Sequence, residues 1–210
     1  MTYTLYYSPG TASLAVHWAL IAIGAPFEAR ALSFEKSDQR APAYLEINPA
    51  GRVPTLVVDG APVGEAVAIM MLLAERHRQA GLAPAPGSPE RARWLETMAF
   101  LANGLAAPFR DWFYTDKDGD PAGADAVKAL ARLRIEAAWD RLDRELSGRA
   151  FLFGNAPGAA DYLAVMYMRW SRNMPRPANA WPALSGYLDR MATLPSYAEL
   201  VAREGLTPWP

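Results

Sequence analysis

Hydrophobic and polar positions along the chain change their rhythm near residue 80. Before it, strand and helix periods alternate; from Glu90 onward the period is helical throughout. Tyr3 to Tyr7 interleaves aromatic and aliphatic residues with threonine and predicts a strand. Ser13 to Ile23 carries Leu14, His17, Trp18 and Ile21 at helical spacing and is closed by Gly24, with Pro26 just beyond. Phe27 to Leu32 predicts a second strand, and strand, helix, strand in so short a stretch implies a parallel, right-handed crossover. A short helix around Pro42 to Ile47 follows. Thr55–Val58 and Pro62–Gly64 then make an antiparallel hairpin about Asp59-Gly60, a two-residue turn that needs positive φ, and Glu65 to Gln79 forms a closing helix.

Ala80 to Pro89 reads AGLAPAPGSP, with three prolines and two glycines, and predicts a linker. Beyond it, helices are expected over 90–113 and 125–146, with shorter ones near 159–172, 183–193 and 196–203. Asp116 to Gly123 (DKDGDPAG) resembles the opening of a calcium loop, but no helix frames it and no bidentate Glu closes it, so it reads as a solvated turn. The expected fold is therefore α/β. Residues 1–79 form a thioredoxin-like domain of βαβαββα order with a mixed four-stranded sheet, 80–89 the linker, and 90–210 an all-α helical domain.

Composition narrows the function classes. A chain of 210 residues can bury a real core in each of two modest domains. Hydrophobic residues at 51% and charged residues at 20% are ordinary for a globular protein. A net charge of −1 gives no electrostatic case for nucleic acid or an anionic membrane. There is no cysteine, which excludes disulfides, thiolate metal sites and a cysteine nucleophile. His17 and His77 are the only histidines, too far apart in the chain to suggest a histidine-rich metal centre. The N-terminus lacks a basic segment followed by an apolar core, and no apolar run is long enough to span a bilayer, so a cytoplasmic protein is expected.

The chemistry concentrates in two runs. Asn48-Pro-Ala-Gly-Arg-Val-Pro-Thr-Leu56 leads directly into the predicted strand Thr55–Val58. Pro54 cannot donate a ladder hydrogen bond and suits a sharp approach, with a cis bond open to it, into an edge strand. Such a bend leaves the N–H and C=O of Val53 free for a peptide-like ligand, which is strand addition in miniature. Glu65-Ala66 then opens a helix, where free N–H groups and the positive dipole end favour a carboxylate. An extended peptide with a carboxylate at one end fits both features.

With these runs and Tyr6-Tyr7-Ser8-Pro9-Gly10 in the same order, the chain resembles the glutathione transferase family nearly end to end, and it looks like the bacterial beta class. The resemblance implies a detoxifying homodimer that binds glutathione as co-substrate, uses no metal, and transfers the thiolate to a small hydrophobic electrophile. It carries over Val53 as the backbone partner of the cysteinyl unit, with Pro54 holding the geometry. Glu65 would accept from the γ-glutamyl ammonium and the Ala66 N–H would donate to the adjacent carboxylate; family members commonly have serine at that position. Lys36 matches a lysine that meets the glycyl carboxylate, or is a solvated loop lysine. Arg52 serves the same carboxylate or lies at a dimer interface. His17 recurs in relatives' first helix and reads as packing or dimer contact.

The chain also departs from the class. The position matching the beta-class cysteine is Ala12, and Ala99, Ala106 and Ala107 stand where such proteins often carry asparagine, histidine and lysine. What remains is thiolate stabilisation by a hydroxyl or a helix N-terminus in the first loop. Thr11 is the first choice as donor, Ser13 the second and Tyr7 the third. Against these roles, Thr11 reads as a turn residue, Ser13 as a helix N-cap and Tyr7 as core. Phe109, Trp112, Phe113, Trp170 and Arg172 would line the electrophile pocket, although aromatics at helical spacing also make core. Gly158-Ala159-Ala160-Asp161 resembles the family's buried capping motif with half of its reciprocal cap gone. A glutathione-dependent isomerase, lyase or peroxidase, or a non-catalytic binding or regulatory protein on the same fold, stay open as alternatives.

Overall fold

The computed structural model describes residues 2–119 and 121–209. Its sheet has the order β2-β1-β3-β4. β1 (Tyr3–Tyr7) pairs in parallel with β2 (Glu28–Ala31) through α1 (Leu14–Ala22), as the crossover requires. β3 (Thr55–Val58) runs antiparallel to β1, and β4 (Ala61–Val63) antiparallel to β3. Asp59 at φ 50 and Gly60 at φ 89 supply the two positive angles that the tight hairpin needs. Two expectations change. β3 is an interior strand, not an edge: Pro54 precedes the first paired residue, so its missing N–H leaves no gap in the ladder. The edge strand carrying a proline is β4, where Pro62 sits opposite Val57.

Alternation along β1 sends Leu5 to one face and Tyr6 to the other. The Leu5 side is closed by α1 and α3 (Ala66–Arg76), whose Leu14, Trp18, Ile69, Met70 and Leu73 are fully buried. On the opposite face Tyr6 packs with Tyr44 of α2 (Pro42–Leu45) and with Val53, flanked by Leu32, Ile47 and Val57. α3 ends at Arg76, and a 3₁₀ turn over Arg78–Ala80 carries the chain onward.

Two compact units result: residues up to Ala83 together with Ala192–Trp209, and Pro84–Met191. The second holds α4 (Pro89–Phe100), α5 (Ala107–Asp118), α6 (Ala124–Leu146), α7 (Ala159–Trp170) and α8 (Pro182–Ala192). The single helix expected over 90–113 is split by a π-helical stretch, Leu101–Ala106, and then continues to Asp118. Asp116 and Asp118 thus lie on a helix and not in the expected turn, while Asp120 of that turn falls outside the described residues. Within the stretch, a Cβ on Gly104 would come 2.7 Å from the Phe100 ring. α9 (Pro195–Glu204), expected from the sequence in the helical domain, packs on α1 and belongs to the first unit.

Candidate functional site

The sheet register brings four segments to one end of the first unit. β1 and β2 are parallel, with Tyr7 opposite Ala31, so the loops after both strands leave together. β3 runs the other way, with Thr55 opposite Tyr6, so the residues that precede it arrive at the same end. β4 reverses again, with Val63 opposite Leu56, and delivers Glu65 and the start of α3 there too. Thr11 and Ser13, Lys36, Arg52-Val53-Pro54 and Glu65-Ala66 are therefore convergent by topology, though dispersed in sequence.

Val53-Pro54 is a cis peptide, and among the described residues neither Val53 N–H nor C=O has a hydrogen-bond partner within the chain. The preceding carbonyl, that of Arg52, is held by the Tyr44 hydroxyl and by Asn48 Nδ2 at 3.0 Å. Asn48 Nδ2 and the Tyr44 hydroxyl also meet Thr55 Oγ1, each at 2.8 Å, and Asn48 Oδ1 accepts from Ala50 N–H. This polar knot fixes the bend on both sides of Val53 while leaving Val53 itself free. Tyr44 was missed by sequence reasoning, since a tyrosine on a one-turn helix carries no local signal of that role. The Arg52 and Lys36 side chains are exposed and reach no acceptor among the described residues.

Glu65 caps α3 with φ 62 and ψ 108, a conformation that side-chain-bearing residues avoid. Its side chain is exposed and makes no capping bond. Among the described residues the N–H groups of Ala66, Val67 and Ala68 have no acceptor, so the helix start presents unpaired donors beside an unpaired carboxylate.

The first loop is internally wired. Thr11 Oγ1 lies 2.8 Å from the Ser8 carbonyl and 3.0 Å from Ser13 Oγ. Ser13 Oγ donates to the same carbonyl at 3.1 Å and accepts from Ser8 N–H at 3.2 Å. Ser13 is fully buried and caps nothing: its hydroxyl points back to Ser8, not forward along α1. Each hydroxyl has one proton, so both are engaged inside the loop. Thr11 is half-buried, and among the described residues the N–H groups of Ala12 and Ser13 at the start of α1 have no partner.

Behind the loop sits a buried carboxylate. Glu204, at the end of α9, accepts from Gly10 N–H at 2.8 Å and lies 2.8 Å from His17 Nδ1. His17 and Glu204 are both buried, and His17 Nε2 has no partner among the described residues. The Tyr7 ring meets His17 edge-on at 4.9 Å. Burial, and then the negative Glu204, push the Tyr7 phenol above its usual pKa, so it remains a protonated donor at neutral pH. The signal for Glu204 was present in the sequence: with Tyr197 and Leu200 it occupies the apolar stripe of α9, where an acid demands a partner.

In the second unit, Phe109 is fully buried, stacked on Tyr167 and Phe113 and set edge-on to Trp170. Phe113 is 40% exposed and Trp170 half-buried, so these two form the accessible aromatic surface that Phe109 backs. Trp112 is half-buried, and Arg172 is exposed with Nη1 donating to the Arg169 carbonyl.

Comparison with known proteins places the chain among its relatives. The family description "Glutathione S-transferase, N-terminal domain" matches residues 1–75, and "Glutathione S-transferase, C-terminal domain" matches residues 124–190. Glutathione S-transferase GST-4.5 of Xanthomonas campestris pv. campestris is 29% identical over 206 residues, covering 96% of this chain and 98% of its own. A sphingomonad glutathione S-transferase solved in complex with glutathione is 34% identical with a TM-score of 0.84, covering 97% of this chain and 100% of its own. The beta-class enzyme of Sphingomonas chungbukensis superposes with a TM-score of 0.84 at 29% identity, over 97% of this chain and 100% of its own. With both domain descriptions matched and the four site segments gathered at one end of its thioredoxin-like sheet, the chain belongs to the glutathione S-transferase family.

Proposed function

We propose that the protein binds glutathione along Val53 and Glu65-Ala66 and transfers its thiolate to a small hydrophobic electrophile. The observation that carries this reading is the convergence of a free Val53 backbone, the unpaired carboxylate and N–H groups at Glu65-Ala66, and a donor-rich loop at one end of the sheet. Val53 holds the cysteinyl unit by two main-chain bonds, which orients the thiol towards the loop after β1. Glu65 takes the γ-glutamyl ammonium, and the α3 N–H groups take its carboxylate. Ala66 brings no hydroxyl, so affinity rests on main-chain donors. Lys36 and Arg52 supply positive charge for the glycyl carboxylate.

Thiol ionisation is the chemical task. Thr11, by turning its hydroxyl from the Ser8 carbonyl, and the free Ala12 and Ser13 N–H groups at the α1 N-terminus stabilise the thiolate. The exchange costs Thr11 one neutral hydrogen bond, about 1 kcal/mol, and a hydrogen bond to an anion is stronger than the one given up. The thiolate then attacks the electrophilic carbon, the C–S bond forming as the bond to the leaving group breaks and that group departs with the electron pair. In the second unit, Phe113, Trp170 and Trp112, with Phe109 behind them, offer an apolar surface suited to such an electrophile, and Arg172 a cation for an anionic or carbonyl group. Ser13 acts as a loop brace.

A specific observation also favours a second reading, a non-catalytic glutathione holder: both loop hydroxyl protons are already engaged, and Ala12, Ala99, Ala106 and Ala107 add no polar group. Calorimetric titration with glutathione in two buffers of different protonation enthalpy separates the two. Buffer-dependent heat, showing a thiol proton released on docking, is expected. Thr11→Ala should reduce that release and lower turnover about 10–100-fold with glutathione affinity kept. Binding without proton release would establish the holder, and no binding would overturn both readings.

A further inference from the structure

In the second unit, an open cleft of about 490 Å³ is lined by Arg93, Arg141, Arg144, Glu145, Ser147 and Arg149. The chain as a whole carries a net charge of −1, so this is a local concentration of positive charge and not a reflection of composition. The four guanidinium groups differ in what they already hold. Arg141 is spent: its Nε donates to Glu145 at 2.9 Å and its Nη2 to Glu96 at 2.8 Å. Arg93 rests on Glu145 at 3.5 Å, and this pair therefore neutralises the one carboxylate lining the cleft. Arg144 and Arg149 are exposed and have no carboxylate or carbonyl partner for their side chains among the described residues.

Arginines at the end of a helix often serve only to cap carbonyls. Here two of the four terminal carbonyls are taken by backbone N–H groups, and neither Arg144 nor Arg149 caps any of them with its side chain among the described residues. Ser147 N–H bonds the Asp143 carbonyl and Arg149 N–H the Leu146 carbonyl. The carbonyls of Arg149 and Ala150 accept from Arg190 at 3.4 and 3.0 Å. Gly148, at φ 76, makes the left-handed turn that folds Arg149 back beside the end of α6. Neither side chain is used in capping, and two planar five-donor forks line one concavity.

We propose that this cleft binds a small oligophosphate, with Arg144 and Arg149 each taking one phosphate group and Arg93 and Ser147 completing the site. Two separate forks select for an anion with at least two charged groups. The absence of an aromatic lining residue gives no platform for a nucleobase. None of the residues lining the cleft is among those proposed to bind glutathione.

The test is calorimetric titration of the whole protein with tripolyphosphate at constant ionic strength, with orthophosphate as comparison. One tripolyphosphate per chain is expected, bound at least about tenfold more tightly than orthophosphate. Arg144→Ala with Arg149→Ala should weaken it at least about tenfold while glutathione affinity stays at the wild-type value. Saturating glutathione should not displace it. Absence of binding, equal affinity in the double variant, equal affinity for orthophosphate, or displacement by glutathione would each overturn the proposal.

Discussion

Glu65 holds a φ of 62 with a Cβ attached, at an exposed position where nothing packs the side chain into place. Strain of this kind costs about 1–3 kcal/mol, and at a site it is tolerated because it aims a group. Two substitutions separate strain from aim. Glu65→Gly removes the carboxylate and the strain together, and after the loss of about 0.5–1 kcal/mol to glycine's unfolded-state freedom it should raise stability by about 1 kcal/mol. Glu65→Ala removes the carboxylate but keeps the strain, so stability should not rise. Both should weaken glutathione at least about tenfold, a lost charge-assisted bond. Thermal unfolding and calorimetry read the two effects, and a Glu65→Gly protein no more stable than wild type would remove strain from the account.

At the scale of elements, α7 is held at its start by one carboxylate. Asp161 accepts from Gly158 N–H and Leu152 N–H, both at 2.9 Å, and from the Tyr187 hydroxyl at 2.7 Å. Gly158 has no side chain, so only the Asp161 half of a capping box exists, as the sequence predicts. Burial outweighs the three donors and pushes the Asp161 carboxyl up to about 6 from 3.8. A raised folded-state pKa means that the folded protein binds the proton more tightly than the unfolded chain. This contribution to stability is full below pH 3.8 and is lost as pH rises through about 6. Asp161→Asn should abolish that component of the pH dependence and, by setting an amide NH₂ against Gly158 N–H, cost about 1–3 kcal/mol. Denaturant titrations of both proteins between pH 4 and 7 test it, and parallel pH profiles would refute the assignment. The same scale shows what was legible beforehand. Asp59-Gly60, Gly24 after α1 and the proline-rich stretch near residue 84 are punctuation that acts locally, so the strands, first helix and hairpin could be read from them. The interior place of β3 could not, because strand order is decided by pairing across the sheet. Nor could the π-helical stretch, where LANGLA looks like ordinary helix until the Phe100 ring meets Gly104. In the site, Val53-Pro54 and Glu65 were visible as a motif, whereas the engaged state of the Ser13 hydroxyl depended on where Ser8 turns.

At the scale of the whole molecule, Glu204 ties the end of α9 to the first loop and α1, 194 positions from Gly10 and 187 from His17. Glu204→Gln presents an amide NH₂ to one of two donors and should destabilise the protein by about 1–3 kcal/mol. Hydrogen exchange at the Gly10 and Thr11 amides should quicken, and the Tyr7 phenol, relieved of a nearby negative charge, should titrate at lower pH than in wild type. Unchanged exchange at Gly10 would show that the loop does not depend on α9. The tie also bears on how the protein is made. A ribosome releases residues in order, at about 5–20 per second. The strands and α1 emerge first, yet the carboxylate that secures the Ser8–Ser13 loop emerges only after residues 84–191 have been made. The loop proposed to activate the thiol is therefore completed only once residue 204 has been made, and a chain terminated before it lacks the clasp even when all of its proposed glutathione contacts have been synthesised.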